Sequence, residues 1–192
     1  MTPAYTDRLI IRCPNQKDLN DFLAYRNAHA NMRLQAIELM GEADALAFLA
    51  NQAERAPNAD NCWLMFALEL RTNGRMIGEV GMYIDSANKG TGDIGWSLNP
   101  EFCGLGYATE AAKWLLGYAF EERQLHRVTA NMSAQNLASL SVTERLGMRH
   151  EGMTRASIQI HGSSHDEHRY AILRDEWLRS AAADKPLGAT EK

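Results

Sequence analysis

The spacing of apolar residues along the chain predicts several amphipathic helices. The clearest pattern covers residues 107–123, where apolar side chains recur at intervals of three and four residues, as on one face of an α-helix. The residues on this face are Ala108, Ala111, Ala112, Leu115, Leu116 and Ala119. Residues 16–29, 42–55 and 136–146 are predicted as further helices, and a short helix is expected around residues 175–180.

Seven further segments are predicted as strands. They cover residues 8–13, 63–70, 76–84, 93–98, 127–132, 148–160 and 168–173. The helix at 107–123 connects strand 93–98 to strand 127–132, and a right-handed crossover of this kind places its two strands parallel. The element order therefore predicts an α/β architecture, a mixed α+β sheet of six to seven mostly antiparallel strands with one parallel pair and flanking helices.

Composition agrees with one globular domain. The chain has 192 residues, of which 45% are hydrophobic and 23% are charged, and a chain of this size can bury a sizeable core without disulfides or metals. We predict a single domain over residues 1–180. Residues 181–192 are small and polar and are interrupted by Pro186 and Gly188, so we expect a flexible tail there.

Charge and cysteine content narrow the class of partner and compartment. The formal net charge of −4 disfavours nucleic acid or an anionic membrane as the main partner, because both favour a basic surface. Cys13, Cys62 and Cys103 are far apart and form no CxxC pair, so neither a disulfide framework nor a metal site is predicted. With no signal pattern in the first seven residues and no apolar run long enough for a bilayer, we expect a cytoplasmic protein.

One segment points to anion binding. Residues 95–111 read GWSLNPEFCGLGYATEA, in which a strand ends and a loop with Gly104 and Gly106 opens the long helix. Glycines let the backbone approach a bulky group and turn its N–H groups toward one point, and the helix dipole adds positive potential. Such an anion-binding loop suits a pyrophosphate, although a glycine pair before a helix is equally consistent with a plain turn.

Two common nucleotide-binding motifs do not fit this loop. A Walker P-loop requires Gly-Lys-Ser/Thr, but Gly106 is followed by Tyr107 and Ala108. A dinucleotide fingerprint requires a small residue three positions after the second glycine, where this chain has Thr109, and an acid at the end of the next strand, where it has none.

A second segment, together with the glycine loop, carries a family resemblance. Residues 126–148 read HRVTANMSAQNLASLSVTERLGM. The two segments resemble the GNAT N-acetyltransferase superfamily, and more narrowly the branch that contains the ribosomal-protein N-terminal acetyltransferases. The resemblance extends to TDRLIIR at residues 6–12 and to YAILRDEW at residues 170–177, so it covers nearly the whole chain.

The resemblance implies acetyl-coenzyme A as co-substrate and assigns residues to its binding. Backbone amides from Cys103 to Ala108 would hold the pyrophosphate, the strand before the loop would pair with the pantetheine arm, and Asn136 would touch the coenzyme, although asparagine also fills a helix N-cap well. The implied cofactor-binding residues are Trp96, Ser97, Leu98, Cys103, Gly104, Leu105, Gly106, Tyr107, Ala108, Thr109, Asn136 and Ser139. Many members carry Gln or Arg three residues before the first glycine, whereas this chain has Glu101, an acid near a polyanion.

The catalytic groups implied by the resemblance are less uniform. Many members have a tyrosine seven residues after the asparagine as the acid for the leaving thiolate, but this chain has Thr143 there. The narrower branch has a serine three residues after the asparagine, which makes Ser139 the candidate donor to the departing sulfur. Asp93 lies where relatives often carry a strand glutamate, and Glu79 on the neighbouring strand is the alternative base; both stay open.

The predicted function is transfer of an acetyl group from acetyl-coenzyme A to a primary amine. Deprotonation at pH 7 costs a lysine-like amine about 4–5 kcal/mol but an α-amine only about 1–1.5 kcal/mol, so a modest carboxylate acting through water is enough for a protein N-terminus. A small-molecule amine is the alternative acceptor, and a non-catalytic acyl-coenzyme A-binding regulatory module is the alternative class. The branch that this chain resembles often forms homodimers, which makes a homodimer possible here. Relatives shape the acceptor site with residues just after the first helix, here Arg26, Asn31, Met32 and Arg33.

Overall fold

Eight strands form one mixed sheet in the computed structural model, which describes residues 2–88 and 90–183. The strands are β1 (Ala4–Tyr5), β2 (Leu9–Arg12), β3 (Trp63–Leu70), β4 (Met76–Ile84), β5 (Thr91–Leu98), β6 (Arg127–Ser133), β7 (Arg149–Ile160) and β8 (Ser163–Leu173). Their order across the sheet is β1-β2-β3-β4-β5-β6-β8-β7. Every neighbouring pair is antiparallel except β5 and β6, so the predicted mixed sheet with one parallel pair is confirmed.

Two strands differ from the prediction by more than two residues. β1 adds an eighth strand, since Ala4 and Tyr5 pair with β2. Two residues are too few to show any alternation, so the sequence pattern does not predict this strand. β8 starts at Ser163 instead of residue 168. Its first five residues are polar, so no apolar pattern marks them, yet their backbone pairs with the end of β7.

Within the described residues, six α-helices flank the sheet. They are α1 (Leu19–Arg26), α2 (His29–Met32), α3 (Glu42–Glu54), α4 (Tyr107–Gly117), α5 (Leu137–Arg145) and α6 (Arg174–Ala183). The single helix predicted at 16–29 is instead a 3₁₀ turn, α1 and α2. α1 ends because the side chain of Asn27 exchanges two hydrogen bonds of 2.9 Å with the backbone of Met40, and Ala28 is extended before α2 begins.

The helices divide the core into two layers. α4 buries the predicted apolar face, including Ala111, Leu115 and Leu116, against one face of the sheet. On the other face, Phe22 of α1 and Leu49 of α3 pack against the sheet in a smaller cluster. α4 continues beyond Gly117 as a π-helical turn through Glu122, so the predicted length of this helical segment is close to the observed one.

The parallel pair is short, and this opens the sheet. β5 and β6 are paired only from Thr91 to Asp93 on one strand and from Arg127 to Thr129 on the other. Beyond these residues β5 remains paired with β4, and β6 with β8. The two strands therefore separate toward their carboxyl ends and leave a split in the middle of the sheet.

The C-terminal end of the described chain is helical. α6 continues to Ala183, so residues 181–183, predicted as the start of a flexible tail, extend the helix. The rest of the predicted tail, residues 184–192, lies outside the described residues. Among the helices that are described, none combines the length and apolar character needed to cross a membrane.

Candidate active site

A tight glycine loop joins β5 to α4. The side-chain oxygen of Asn99 accepts a hydrogen bond from the amide of Glu101 at 3.1 Å and starts the turn. Gly104 and Gly106 have φ angles of +77° and +85°, a left-handed conformation that suits a residue without Cβ. α4 begins directly after Gly106, and the first amides of a helix have no partner within it. The loop therefore presents free N–H groups and the positive end of the helix dipole at one place.

A cavity of about 460 Å³ lies against this loop; we call it the glycine-loop cavity. The predicted cofactor-binding residues that line it are Trp96, Ser97, Leu98, Cys103, Gly104, Gly106, Tyr107, Ala108, Thr109, Asn136 and Ser139. Leu105 is the exception, because its side chain is 56% exposed and does not line the cavity. The structure thus brings eleven of the twelve predicted residues together around one space.

The polar groups of the glycine-loop cavity fit a polyanion. Arg33 and Arg145 are the charged residues among its described lining, which contains no carboxylate. The hydroxyl oxygen of Thr109 is buried and has no hydrogen-bond partner in the described chain, a condition that costs about 1–3 kcal/mol unless a ligand or water satisfies it. Free amides, two arginines and an unsatisfied hydroxyl are donors that suit the diphosphate implied by the family resemblance.

Glu101 and Cys103 do not alter this character. Glu101 does not line the cavity; its side chain is 67% exposed, and its Oε2 lies 3.2 Å from Nη1 of Arg75. Its negative charge is therefore directed to solvent and partly balanced. Partial burial raises the pKa of the Cys103 thiol, so the structure gives no support to a thiolate at this position.

A second cavity, of about 410 Å³, lies in the split between β5 and β6; we call it the Glu79 cavity. Its walls are mainly apolar and aromatic, and they include Ile37, Phe48, Trp63, Met65, Trp96 and Ile158. Glu79 and Arg26 are the charged residues of its described lining. Nη1 of Arg26 donates to Oε1 of Glu79 at 3.2 Å. Burial raises the pKa of Glu79 above its ordinary value, and the charge of Arg26 opposes that rise.

The two cavities share a wall. Six residues line both of them, and these are Leu34, Gln35, Trp96, Ser97, Asn136 and Ser139. The side-chain oxygen of Asn136 accepts from the amide of Ser139 at 3.1 Å, so Asn136 caps α5 and lines the cavities at the same time. A molecule in one cavity can therefore meet a molecule in the other beside Asn136 and Ser139.

Asp93 and Thr143 lie outside both cavities. Asp93 accepts hydrogen bonds from Oγ1 of Thr129 at 2.9 Å and Nδ2 of Asn131 at 3.1 Å. Burial raises the pKa of Asp93 to about 6, although these two hydrogen bonds lower it. Thr143 is fully buried, and its hydroxyl donates to the carbonyl of Leu140 at 2.8 Å. Thr143 is therefore not positioned to act on a molecule in either cavity.

Arg145 and Ile158 are among the lining residues that the sequence prediction missed. Arg145 follows Ala138 and Ser141 on the face of α5 that lines the glycine-loop cavity, so the helical period from Ala138 would have found it. Ile158 reaches the Glu79 cavity from β7, and no local pattern marks it. Of the residues expected after the first helix, Arg26 lines the Glu79 cavity, whereas Asn31 and Arg33 line the glycine-loop cavity.

Comparison with known proteins agrees with this arrangement. A family model described as the acetyltransferase (GNAT) domain matches residues 8–149. The uncharacterized N-acetyltransferase YnaD of Bacillus subtilis (strain 168) is 34% identical over 172 residues, which are 90% of this chain and 97% of YnaD. The crystal structure of a GNAT-family acetyltransferase from Bacillus anthracis is 30% identical, with a TM-score of 0.80 and coverage of 91% of this chain and 100% of that chain. The ribosomal-protein-S5-alanine acetyltransferase from Vibrio fischeri has the same fold, with a TM-score of 0.80 at 21% identity over 92% of this chain and 99% of that chain.

The family match covers well over half of the chain and includes the glycine loop, the split strands and Asn136. The resemblance noted in the sequence is thereby confirmed. This chain belongs to the GNAT acetyltransferase family and is an N-acetyltransferase that uses acetyl-coenzyme A to acetylate an amine.

Proposed function

We propose that the acceptor of this N-acetyltransferase is the α-amine of a protein N-terminus, which binds in the Glu79 cavity. The observation that supports this acceptor is the charge of the cavity: its described lining offers one carboxylate, Glu79, and that carboxylate is already paired with Arg26. A polyamine or aminoglycoside has several positive charges and favours a site with several carboxylates. A single α-ammonium group with an apolar neighbour suits this cavity better.

The fold comparison supports the same class of acceptor. The Vibrio fischeri protein with a TM-score of 0.80 acts on ribosomal-protein S5 alanine according to its name. The easier deprotonation of an α-amine, about 3 kcal/mol less costly than that of a lysine side chain, also suits a site with few titratable groups.

The reaction we propose is direct transfer. Acetyl-coenzyme A supplies an activated thioester, whose carbonyl carbon the amine nitrogen attacks; the new C–N bond forms, the C–S bond breaks, and the thiol leaves. The glycine loop and Thr109 hold the diphosphate, and the split edge of β5 from Trp96 to Leu98 aligns the pantetheine arm. Most of the catalytic effect then comes from positioning two reactants at the shared wall of the cavities.

Glu79 is the base we propose for the amine proton. It lines the cavity, and its raised pKa brings it closer to neutral pH, where a general base is most effective. Asp93 has less support, because it does not line the cavity and its carboxylate is held by Thr129 and Asn131. Ser139 lines both cavities, and its hydroxyl makes no hydrogen bond within the described chain, so we propose that it donates to the departing sulfur.

The acceptor is tested with a matched peptide set. One peptide has a free α-amine and no lysine, a second has a blocked N-terminus and one internal lysine, and spermidine serves as the polycation. Each is mixed with enzyme and acetyl-coenzyme A, free thiol is followed with time, and the acetylated atom is located by mass spectrometry. We expect acetylation of the first peptide. Faster acetylation of spermidine would contradict the proposal. Cytoplasmic location and a homodimer stay predictions from the sequence.

A further inference from the structure

Arg8 does not line the glycine-loop cavity, but its side chain contacts Leu105 of the glycine loop and Tyr107 at the start of α4. Its Nη1 donates to the carbonyl oxygen of Leu105 at 2.8 Å. Its guanidinium lies over the ring of Tyr107, 4.2 Å from the ring centre. A Cβ added to Gly106 would be 3.3 Å from Nη2 of Arg8. Arg8 therefore contacts Leu105 and Tyr107, the residues on either side of Gly106.

Glu110, in the first turn of α4, fixes Arg8 in turn. Oε2 of Glu110 accepts from Nε of Arg8 at 2.7 Å, and Oε1 accepts from the Arg8 amide at 2.8 Å and from the hydroxyl of Thr6 at 2.6 Å. Although partial burial opposes ionisation, these hydrogen bonds lower the pKa of Glu110. Glu110 is therefore charged at neutral pH, and its charge is balanced by Arg8.

The contact with Leu105 determines where the next amide points. The described chain contains no cis peptide bond, and in a planar trans peptide the C=O and the following N–H point in opposite directions. Because the carbonyl of Leu105 points toward Arg8, the N–H of Gly106 is directed away from Arg8. Gly106 lines the glycine-loop cavity, and its N–H has no acceptor within the described chain.

We propose that Arg8 is a positioning residue for the acyl donor: it orients the Leu105–Gly106 peptide so that the Gly106 N–H faces the diphosphate, and it neutralises the carboxylate of Glu110 next to that anion. This rests on the assignment of the glycine-loop cavity to coenzyme A made above. Arg8 does not touch the substrate itself. It acts through the backbone, and its planar fork reaches Glu110 and Leu105 together, which a lysine with one ammonium group cannot reproduce.

The chain offers a matched control for this proposal. Arg71 holds residues 6–7, the segment just before Arg8, since its Nη1 donates to the carbonyls of Thr6 and Asp7 at 2.8 and 3.1 Å. It has no hydrogen bond to Leu105 or Glu110 in the described chain. Arg71→Ala therefore loosens the attachment of residues 6–7 without releasing the Leu105–Gly106 peptide.

The experiment compares Arg8→Lys, Arg8→Gln and Arg71→Ala with the unaltered enzyme. Coenzyme A affinity is measured by calorimetry, KM and kcat are measured for both substrates, and circular dichroism and Tm report folding. We expect the Arg8 variants to raise the Kd of coenzyme A and the KM of acetyl-coenzyme A about tenfold, as for the loss of one hydrogen bond to a charged group. The KM of the amine and kcat should change by less than about twofold, and Arg71→Ala should keep coenzyme A affinity within about twofold.

Two results would overturn the proposal. Arg8→Lys could bind coenzyme A as tightly as the unaltered enzyme, or Arg71→Ala could weaken binding as much as the Arg8 variants, which would reduce Arg8 to a general structural role. If the unaltered enzyme does not bind coenzyme A at this loop, the assignment of the cavity itself is wrong. That failure is distinguishable, because it appears without any substitution.

Discussion

Nη1 of Arg26 lies 3.2 Å from Oε1 of Glu79 in the wall of the Glu79 cavity. Glu79 is 3% exposed, and a buried carboxylate is costly unless it is paired. Burial and pairing act on it in opposite directions, since burial raises its pKa and the positive charge of Arg26 lowers it. The result is a carboxylate that lines the Glu79 cavity but has its charge balanced.

Replacing Glu79 tests its role as the base. Glu79→Gln keeps the shape of the side chain and an acceptor for Arg26 but cannot take a proton. We expect kcat at pH 7 to fall by about 10²–10⁴-fold, the usual contribution of a general base. The KM of acetyl-coenzyme A should change little, because Glu79 does not line the glycine-loop cavity. Asp93→Asn is the comparison, and a large loss of kcat in that variant with a small one in Glu79→Gln would reverse the assignment.

Burial of Asp93 should make the stability of the fold depend on pH. Its pKa rises from 3.8 to about 6, first because burial disfavours the charged form. The folded state therefore retains this proton between about pH 4 and pH 6, where the unfolded chain has lost it, so the contribution of Asp93 to stability falls as the pH rises through this window and stays low above it.

Asp93→Asn removes that penalty and keeps an oxygen for Thr129 and Asn131. We expect the free energy of unfolding to increase by about 1–3 kcal/mol at pH 8 and to be almost unchanged at about pH 3.5. Urea unfolding at the two pH values measures this difference. An equal change at both values would show that the effect comes from packing and not from ionisation.

Two glycines allow backbone strain to be separated from cofactor binding. Gly104 and Gly147 have φ angles of +77° and +71°, and neither would bring an added Cβ within 4 Å of another atom. Alanine at either position should cost about 1–2 kcal/mol of stability for the left-handed conformation. Gly104→Ala alone should also weaken coenzyme A binding, by about tenfold, because only Gly104 lines the glycine-loop cavity. Equal binding by the two variants would count against the loop as the diphosphate site.

Arg145 should contribute long-range attraction for the coenzyme. Arg145→Ala removes one of the two cations of the described cavity lining, so we expect the Kd of coenzyme A to rise about three- to tenfold at low salt and the difference to shrink at high salt. Arg155→Ala is the control, since it removes the same charge from exposed β7, away from the cavity. Titration of each variant with coenzyme A at two ionic strengths measures this difference. An equal loss of affinity in both variants would indicate only a net-charge effect.

The glycine loop and the parallel strand pair could be predicted because their signals are local. Gly104 and Gly106 mark a turn by themselves, and a helix between two strands implies a crossover. The direction of the Leu105 carbonyl could not be predicted, because it depends on a hydrogen bond from Arg8, which is distant in sequence. The same holds for Glu79, since its burial and its pairing with Arg26 arise only when α1 packs over β4.

The interruption of the first helix and the position of Asp93 show the same limit. The local sequence does not mark Asn27 as the end of a helix. Its role depends on the hydrogen bonds between its side chain and the backbone of Met40. Asp93 was predicted from its strand position alone, and its hydrogen bonds to Thr129 and Asn131 on the neighbouring strand could not be predicted. Sequence patterns locate a residue on an element, whereas its hydrogen-bond partners depend on segments that the pattern does not connect.

The hairpin of β7 and β8 has a consequence for how this enzyme could diversify. Its outer strand is largely exposed, it sends Ile158 into the Glu79 cavity, and the ring of His161 at its tip is 2.9 Å from the carbonyl of Met32. The groups that grip the thioester donor belong to other stretches of chain. If the amine binds in the Glu79 cavity as we propose, a graft or insertion at this hairpin would change the choice of amine and leave the glycine loop as it is.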